Sequence, residues 1–370
     1  MENTFKNNIH RNQVYPLLSN IAGIYGLFLN PKLEVSRSRI GIINRTEKLK
    51  NARIIFLPFP TYFFFSQWFV LPLIIIWSIF PIIYFCLRKK ITIIHARNLN
   101  SGICAVLVSK ILRVKVVFDV RGIHADEGVL IGRWKHKSFN YRVHKFLESW
   151  VLRSARSVLC ISPNLCRYVT EIAPNVAPEF VPAMVDTRAI NYSPELRAQA
   201  RVQLNIGADD LCLIYTGTLG AWHHIEKLRE QVVSFIERFQ DKTIVLVILS
   251  KAERHKVLQQ LNLSSRVLIK EVPVDQVNLY LNAADIGLLP AREIESNSHR
   301  LVFNVMISSK AEEYLCAGMG VCADHSITYF TNNNYATDVA ADRLKKSQFF
   351  QQEFSAESVC VKIQRSYAVM

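Results

Sequence analysis

Two short stretches carry residues whose types and spacing suit chemistry on an anion. In Ser308–Val321, SSKAEEYLCAGMGV, Ser309 followed three residues later by Glu312 predicts a capping box. Ala311, Tyr314 and Leu315 recur on one helical face, and Gly318 stands where a helix ends in a left-handed residue. A helix opening on two serines presents unpaired amides and the positive end of its dipole, which suits phosphate. Lys310 adds a full charge, and Glu313, one turn in, can accept from sugar hydroxyls. The plain alternative is an ordinary capped helix. In the second stretch, Gly217-Thr218-Leu219-Gly220 ends a predicted strand and precedes a helix, so its amides can approach a phosphate without a side chain in the way. Upstream, His95-Ala96-Arg97 and Asp119-x-Arg121-Gly122 both follow predicted strand ends. His95 alone also reads as a structural histidine, and Asp119 and Arg121 as a pair that satisfies itself.

These groups need a scaffold, and the chain supplies a regular one. At 370 residues two domains are expected, and a chain half hydrophobic and 20% charged can fill both cores. Strand patterns at 53–59, 91–96, 114–120 and 157–162 alternate with helices at 101–112, about 137–155 and 163–172. In the long helix, Phe139, Val143, Phe146, Leu147, Trp150 and Val151 are expected to face inward. After an irregular stretch, 177–193, the alternation restarts with strands at 211–217, 243–250, 266–271 and 285–290. Residues 331–353 are polar and poorly periodic, and 353–367 reads as a closing helix after another serine cap. Such alternation implies α/β domains with parallel sheets, doubly wound, whose ligands bind at the carboxyl ends of strands. The expected division is an N-terminal domain over 1–185, a C-terminal domain over 186–352 and a helix over 353–370 that packs back on the first. The cleft between the domains is the default site.

Charge and hydropathy are unevenly placed. Residues 1–190 hold 26 Lys and Arg against 10 Asp and Glu, while 191–370 hold 19 against 20. No nucleic-acid motif accompanies this excess, so an anionic membrane surface or a phosphorylated acceptor is the better partner. Residues 63–87 carry no charge and end on Arg88-Lys89-Lys90. Pro72 and Pro81 are expected to break or kink this segment. A helix partly packed and partly pressed into the inner leaflet is favoured over a buried helix or a full span. Eight cysteines without a CxxC pair point to reduced, buried thiols rather than disulfides or zinc. The first twenty residues are polar and broken, with no cleavable signal expected.

Six stretches in order, VFDVRGIHADE (117–127), the serine after strand 157–161, VPAMVD (181–186), YTGTLGAW (215–222), NAADIGLLP (282–290) and SSKAEEYLCAGMGV, resemble a family 4 (group 1) glycosyltransferase of the kind that makes bacterial cell-surface polysaccharide. The resemblance covers nearly all of the chain beyond residue 90. It implies the GT-B fold: two Rossmann-like domains facing across a cleft, with a nucleotide-diphosphate sugar held in the C-terminal one. It also implies retention of anomeric configuration and no bound metal or other cofactor, and the chain has no Asp-x-Asp triplet. The family's Arg after the first glycine and Lys five residues on are here Thr218 and His223, so His223, His224, Lys227 and Lys310 are the available substitutes. Of the family's paired glutamates, Glu313 matches the second, expected on the nucleotide ribose, while Val305 stands at the first.

The donor set implied by the resemblance is thus Gly217, Thr218, Gly220, His223, Lys227, Ser309, Lys310 and Glu313. The acceptor loop would offer His95, Asp119, Arg121 and Glu127, with Asp126 beside it. The implied activity is transfer of a sugar to a lipid-linked saccharide by a protein peripheral on the cytoplasmic face of the cell membrane. Two alternatives remain: a nucleotide-sugar epimerase on the same fold, and a non-enzymatic membrane-associated binding protein.

Overall fold

The computed structural model describes residues 25–30, 53–58, 67–217, 219, 225–290, 296–306, 308–323 and 342–368; for 25–30, 53–58 and 67–74 it describes the backbone course alone. The chain divides into two compact units, residues 1–184 with 356–370, and residues 185–355.

In unit 1, β1 (Tyr25–Asn30) and β2 (Arg53–Pro58) pair in parallel. The helix α1 (Gln67–Lys89) precedes β3 (Ile93–Ala96), α2 (Leu99–Leu112), β4 (Lys115–Val120), α3 (His124–Leu130) and α4 (Phe139–Ser154). After them come β5 (Ser157–Cys160), α5 (Pro163–Ile172) and β6 (Glu179–Phe180). The four strands β3-β4-β5-β6 form one parallel sheet in that order. Capping fixes where its helices start: Asn98 and Ser101 make a reciprocal box, and Ser162 caps α5 with Pro163 at the first helical position.

Unit 2 holds α6 (Pro194–Gln203), β7 (Leu211–Thr216), α7 (Ile225–Arg238), β8 (Ile244–Leu249), α8 (Arg254–Leu261) and β9 (Arg266–Lys270). A 3₁₀ turn leads into α9 (Val277–Ala283), then come β10 (Ile286–Leu289), α10 (Asn297–Val305), α11 (Ser309–Cys316), β11 (Gly320–Ala323) and α12 (Arg343–Phe354). The sheet order is β11-β10-β7-β8-β9, all parallel. β8 is buried at every position, as a strand covered by helices on both faces requires. The last helix, α13 (Ala356–Ala368), returns to unit 1, where Val359, Cys360 and Ile363 pack with Val117, Leu159, Val181 and Met184.

Several sequence expectations need correction. The 331–353 stretch, among its described residues, is the helix α12; its inward residues include Lys346 and Ser347, so no apolar period shows. In α4 the buried stripe is Glu148, Val151 and Leu152, while Phe139 and Phe146 are 72% and 68% exposed. The polar member of that stripe hid it. The 177–193 stretch contributes β6 to the sheet, and α3 was not expected. α1 runs unbroken through Pro72 and Pro81. The capping box at Ser309 is absent: Ser308 is the N-cap and makes no side-chain cap bond, and Glu312 is buried in the first turn, one position beyond the one a capping box would use. The other end of α11 is as expected. Gly318 has φ +71°, its amide donates to Leu315 and that of Met319 to Tyr314, which is the Schellman pattern. Among the described residues no helix is long and apolar enough to cross a membrane.

Candidate functional site

In unit 2 the strand order changes direction between β7 and β10, and a doubly wound sheet opens a crevice at that point, outside the carboxyl ends of its strands. β7 delivers Tyr215, Thr216 and then Gly217 to this end, and α11 arrives beside it. Tyr314 of α11 fixes the junction. The Thr216 amide donates to its hydroxyl at 3.0 Å, and the Thr216 hydroxyl lies 3.0 Å from the same oxygen. The Tyr314 ring also fills the space a β-carbon on Gly287 of β10 would take. One side chain therefore pins α11 to both strands that flank the crevice. Burial pushes the Tyr314 and Tyr215 phenols up, so both stay neutral.

Lys310, at the second position of α11, lays its Nζ 4.6 Å from the centroid of the Tyr215 ring and 3.3 Å from the Tyr215 hydroxyl. A β-carbon on Gly217 would come within 2.9 Å of both Lys310 Cε and Nζ, and Gly217 has φ +117°. Glycine at this position thus lets the ammonium lie against the end of β7. Burial pushes Lys310 down to about 7, with the Glu313 carboxylate opposing. A lysine at a helix N-terminus suits an anion placed there. Ser309 is exposed at the first helical position and Glu313 half-buried one turn in. Gly217, Ser309, Lys310 and Glu313 are thus brought to one place. Lys227 pairs with Glu230 in α7 at 2.7 Å, and Val305 is buried in α10. Thr218, Gly220, His223 and His224 lie outside the described residues.

In unit 1, β3 and β4 end side by side. Asp119, 2% exposed, takes a bond from Arg121 Nη2 on Oδ2 at 2.7 Å, and His95 Nε2 lies 3.5 Å from the same oxygen. The Tyr367 hydroxyl, brought in by α13, is 2.6 Å from His95 Nδ1. Burial alone would raise the Asp119 pKa; Arg121 first, then His95 and Arg97, outweigh it and hold the carboxyl well below the usual range. Arg97 is pushed down to about 9 by burial and by the neighbouring Arg121, with Asp119 opposing.

Glu127 stands in a different setting. It folds back onto Gly122, with Oε1 where a β-carbon there would sit, and burial pushes it up to about 7, helped by Glu148 and Asp126 and opposed by the Ile123 backbone. Asp126 pairs with Lys145 at 2.5 Å, and Lys145 also reaches Glu148 and the Tyr168 hydroxyl. Ser162 serves as a helix cap.

Sequence reasoning missed Tyr215, which reads as one more apolar strand residue, and Lys145, which reads as a solvated helix charge. It also missed Tyr367, 272 positions from the histidine it contacts. Arg97 was singled out with His95 at the same strand end, but it was not named among the site residues. Among the described residues no three His, Cys, Asp or Glu side chains are grouped to hold a metal ion.

Residues 50–183 match the model of the family described as the glycosyl transferase 4-like domain. No curated protein matches the chain. Among solved structures, sucrose-phosphate synthase from Thermosynechococcus elongatus is similar with a TM-score of 0.62 at 15% identity, covering 86% of this chain and 83% of that one. Anabaena HepE in complex with UDP and glucose has a TM-score of 0.60 at 13% identity, over 94% of this chain and 100% of its own. A UDP-GlcNAc 2-epimerase from Neisseria meningitidis, bound to UDP-GlcNAc, has a TM-score of 0.54 at 12% identity, covering 97% and 96%. The fold is that of the GT-B class, built from two Rossmann-like domains. The match to the glycosyl transferase 4-like domain lies within unit 1, and the fold of the whole chain is the one these solved structures share.

The setting of Lys310 has a measurable cost. With its folded pKa near 7 and an unfolded value near 10.5, the native state binds fewer protons than the unfolded chain between these limits. Stability must therefore rise with pH across that window. Lys310→Met is expected to raise the urea midpoint at neutral pH and to flatten that rise. An unchanged or lower midpoint with the slope retained contradicts this account of the residue.

Proposed function

We propose that the protein moves a sugar, with retention, from a nucleotide-diphosphate donor to a lipid-linked saccharide at the cytoplasmic face of the cell membrane, in the synthesis of a surface polysaccharide such as O-antigen, capsule or exopolysaccharide. One observation carries the donor half: the Lys310 ammonium, lodged between Gly217 and the Tyr215 ring at the crevice of unit 2. A leaving diphosphate gains negative charge in the transition state, and a preorganised cation at a helix N-terminus stabilises it there. The UDP in the similarly folded HepE structure supports a nucleotide donor. Glu313, one turn in, takes hydroxyls of the donor. No metal or other cofactor enters this reading.

Retention by attack on the same face needs little from a protein base. The bond from the anomeric carbon to the diphosphate oxygen breaks, the bond to the acceptor oxygen forms, and the acceptor proton passes to the departing phosphate. The role left for His95, Asp119, Arg121 and Glu127 is to position the acceptor and balance charge. Glu127, with its pKa near 7, is the group suited to share a proton with an acceptor hydroxyl.

The membrane half rests on α1. Its exposed Ile76, Trp77, Phe80, Tyr84 and Leu87 fall within about 100° of the helix circumference, given 3.6 residues per turn. Buried Ser78 and Cys86 lie on the other side, and Arg88, Lys89 and Lys90 follow at the end of the helix. An apolar stripe closed by a basic cluster suits an anionic leaflet. The similarity to a nucleotide-sugar epimerase keeps that activity as a second reading; it predicts epimer or free nucleotide from donor alone, whereas the transferase needs an acceptor.

Two outcomes follow. UDP-glucose, whose diphosphate does not titrate near neutrality, should bind most tightly below pH about 7 and weaken by up to about tenfold per unit above it, a dependence lost in Lys310→Met. Binding that is flat with pH in the unmodified protein would sink the role of Lys310. The protein should pellet with anionic vesicles and be released by salt, and Trp77→Ser with Phe80→Ser should cut this at least about tenfold. Indifference to lipid charge would remove the membrane half.

A further inference from the structure

We infer that the paired ends of β3 and β4 in unit 1 form an oxyanion site, which takes a phosphate or carboxylate carried by the acceptor. Calling the ligand's bearer an acceptor rests on the sugar-transfer reading; the site itself rests on its own geometry. Arg97, Arg121 and His95 gather round a single carboxylate, Asp119. Arg121 commits Nη2 to Asp119 Oδ2 at 2.7 Å, but its Nε and Nη1 are shut off from solvent and have no hydrogen-bond partner. Asp119 Oδ1 is likewise buried and unpartnered.

A cluster serving only to brace two strands would pair such groups, because a buried donor left unmade costs more than a typical hydrogen bond returns. An oxyanion offers several acceptor oxygens to guanidinium donors, and charge-assisted bonds of this kind are the strong ones. Asp119 Oδ1 then remains to accept from a hydroxyl beside the anion, which a saccharide supplies. His95 and Tyr367 steady the Oδ2 side of the same carboxylate. The His95 and Arg121 side chains keep 17% and 18% of their surface exposed, and Arg121 must turn for its shut-off Nε and Nη1 to meet the ligand.

The shared chemistry has two sources, the phosphate of a lipid carrier or the carboxylate of an acidic sugar. The test titrates the full-length protein by calorimetry with inorganic pyrophosphate and with glucuronate, after UDP-glucose has been added in excess to occupy unit 2. At least one probe should bind, about ten- to hundredfold more weakly in Arg121→Gln, with no change in Lys310→Met. A response to pyrophosphate assigns a carrier phosphate, and a response to glucuronate an acidic sugar. Because Arg121→Gln strips Asp119 of its partner, Asp119→Asn with Arg121→Gln provides a neutral pair, and its thermal transition checks the fold. Failure of both probes to bind, or binding indifferent to Arg121→Gln and to the double variant, overturns the inference and leaves a strand brace. If UDP-glucose does not bind while probe binding still depends on Arg121, the sugar-transfer reading fails and the oxyanion site stands.

Discussion

Parallel strands impose the constraint on which everything else here depends. A parallel strand reaches its neighbour only through a crossover, so all carboxyl ends within a sheet meet on one side. The side chains and loops there are supplied by residues far apart in sequence. Both units obey this, and Lys310 in unit 2 and His95 and Asp119 in unit 1 stand at that side. In unit 2 the crossover reverses between β7 and β10, which leaves the end of β7 open to α11. In unit 1 the ends of β3 and β4 bring His95 and Asp119 together.

What makes the unit 2 crevice more than a topological gap is the way α11 is fastened. Tyr314 ties it to Thr216 and lies on Gly287, while the far end closes on Gly318, with the backbone oxygen of Arg343 only 2.4 Å from where a β-carbon would be. Arg343 in turn donates to the carbonyls of Ala317, Ala284 and Leu281, collecting the ends of α9 and α11. A cation at helix C-termini is favoured by their dipoles. These fasteners hold the first turn of α11 in place, so that Lys310 is kept against Tyr215 at the cost of an easy protonation. Stability given up for charge at a site is the usual mark of function.

The alternation of strands and helices was legible because β7, β8 and β10 are mostly apolar runs, and because Ser162-Pro163 announces a helix start; the helix that Ser193-Pro194 opens was not foreseen. α12 was not, since Lys346 and Ser347 share its interior with Phe350 and Phe354, and their polar ends find partners only in the folded unit. The inward stripe of α4 was misread for a related reason: Glu148 is buried only because Lys145 and Tyr168 meet it there. At the sites, Lys310 and Glu313 were visible because a helix start can be read locally. Their anchor Tyr215, and the contact of Tyr367 with His95, depend on crossovers that no local pattern encodes.

The central claim is that the β7–α11 junction of unit 2 holds the donor. Hydrogen exchange of the full-length protein with and without UDP-glucose tests it most directly, because bound diphosphate must protect the amides it engages. Slowed exchange centred on residues 215–217 and 308–313 is the expected result. Protection confined to unit 1, or none at saturating UDP-glucose, would contradict the account.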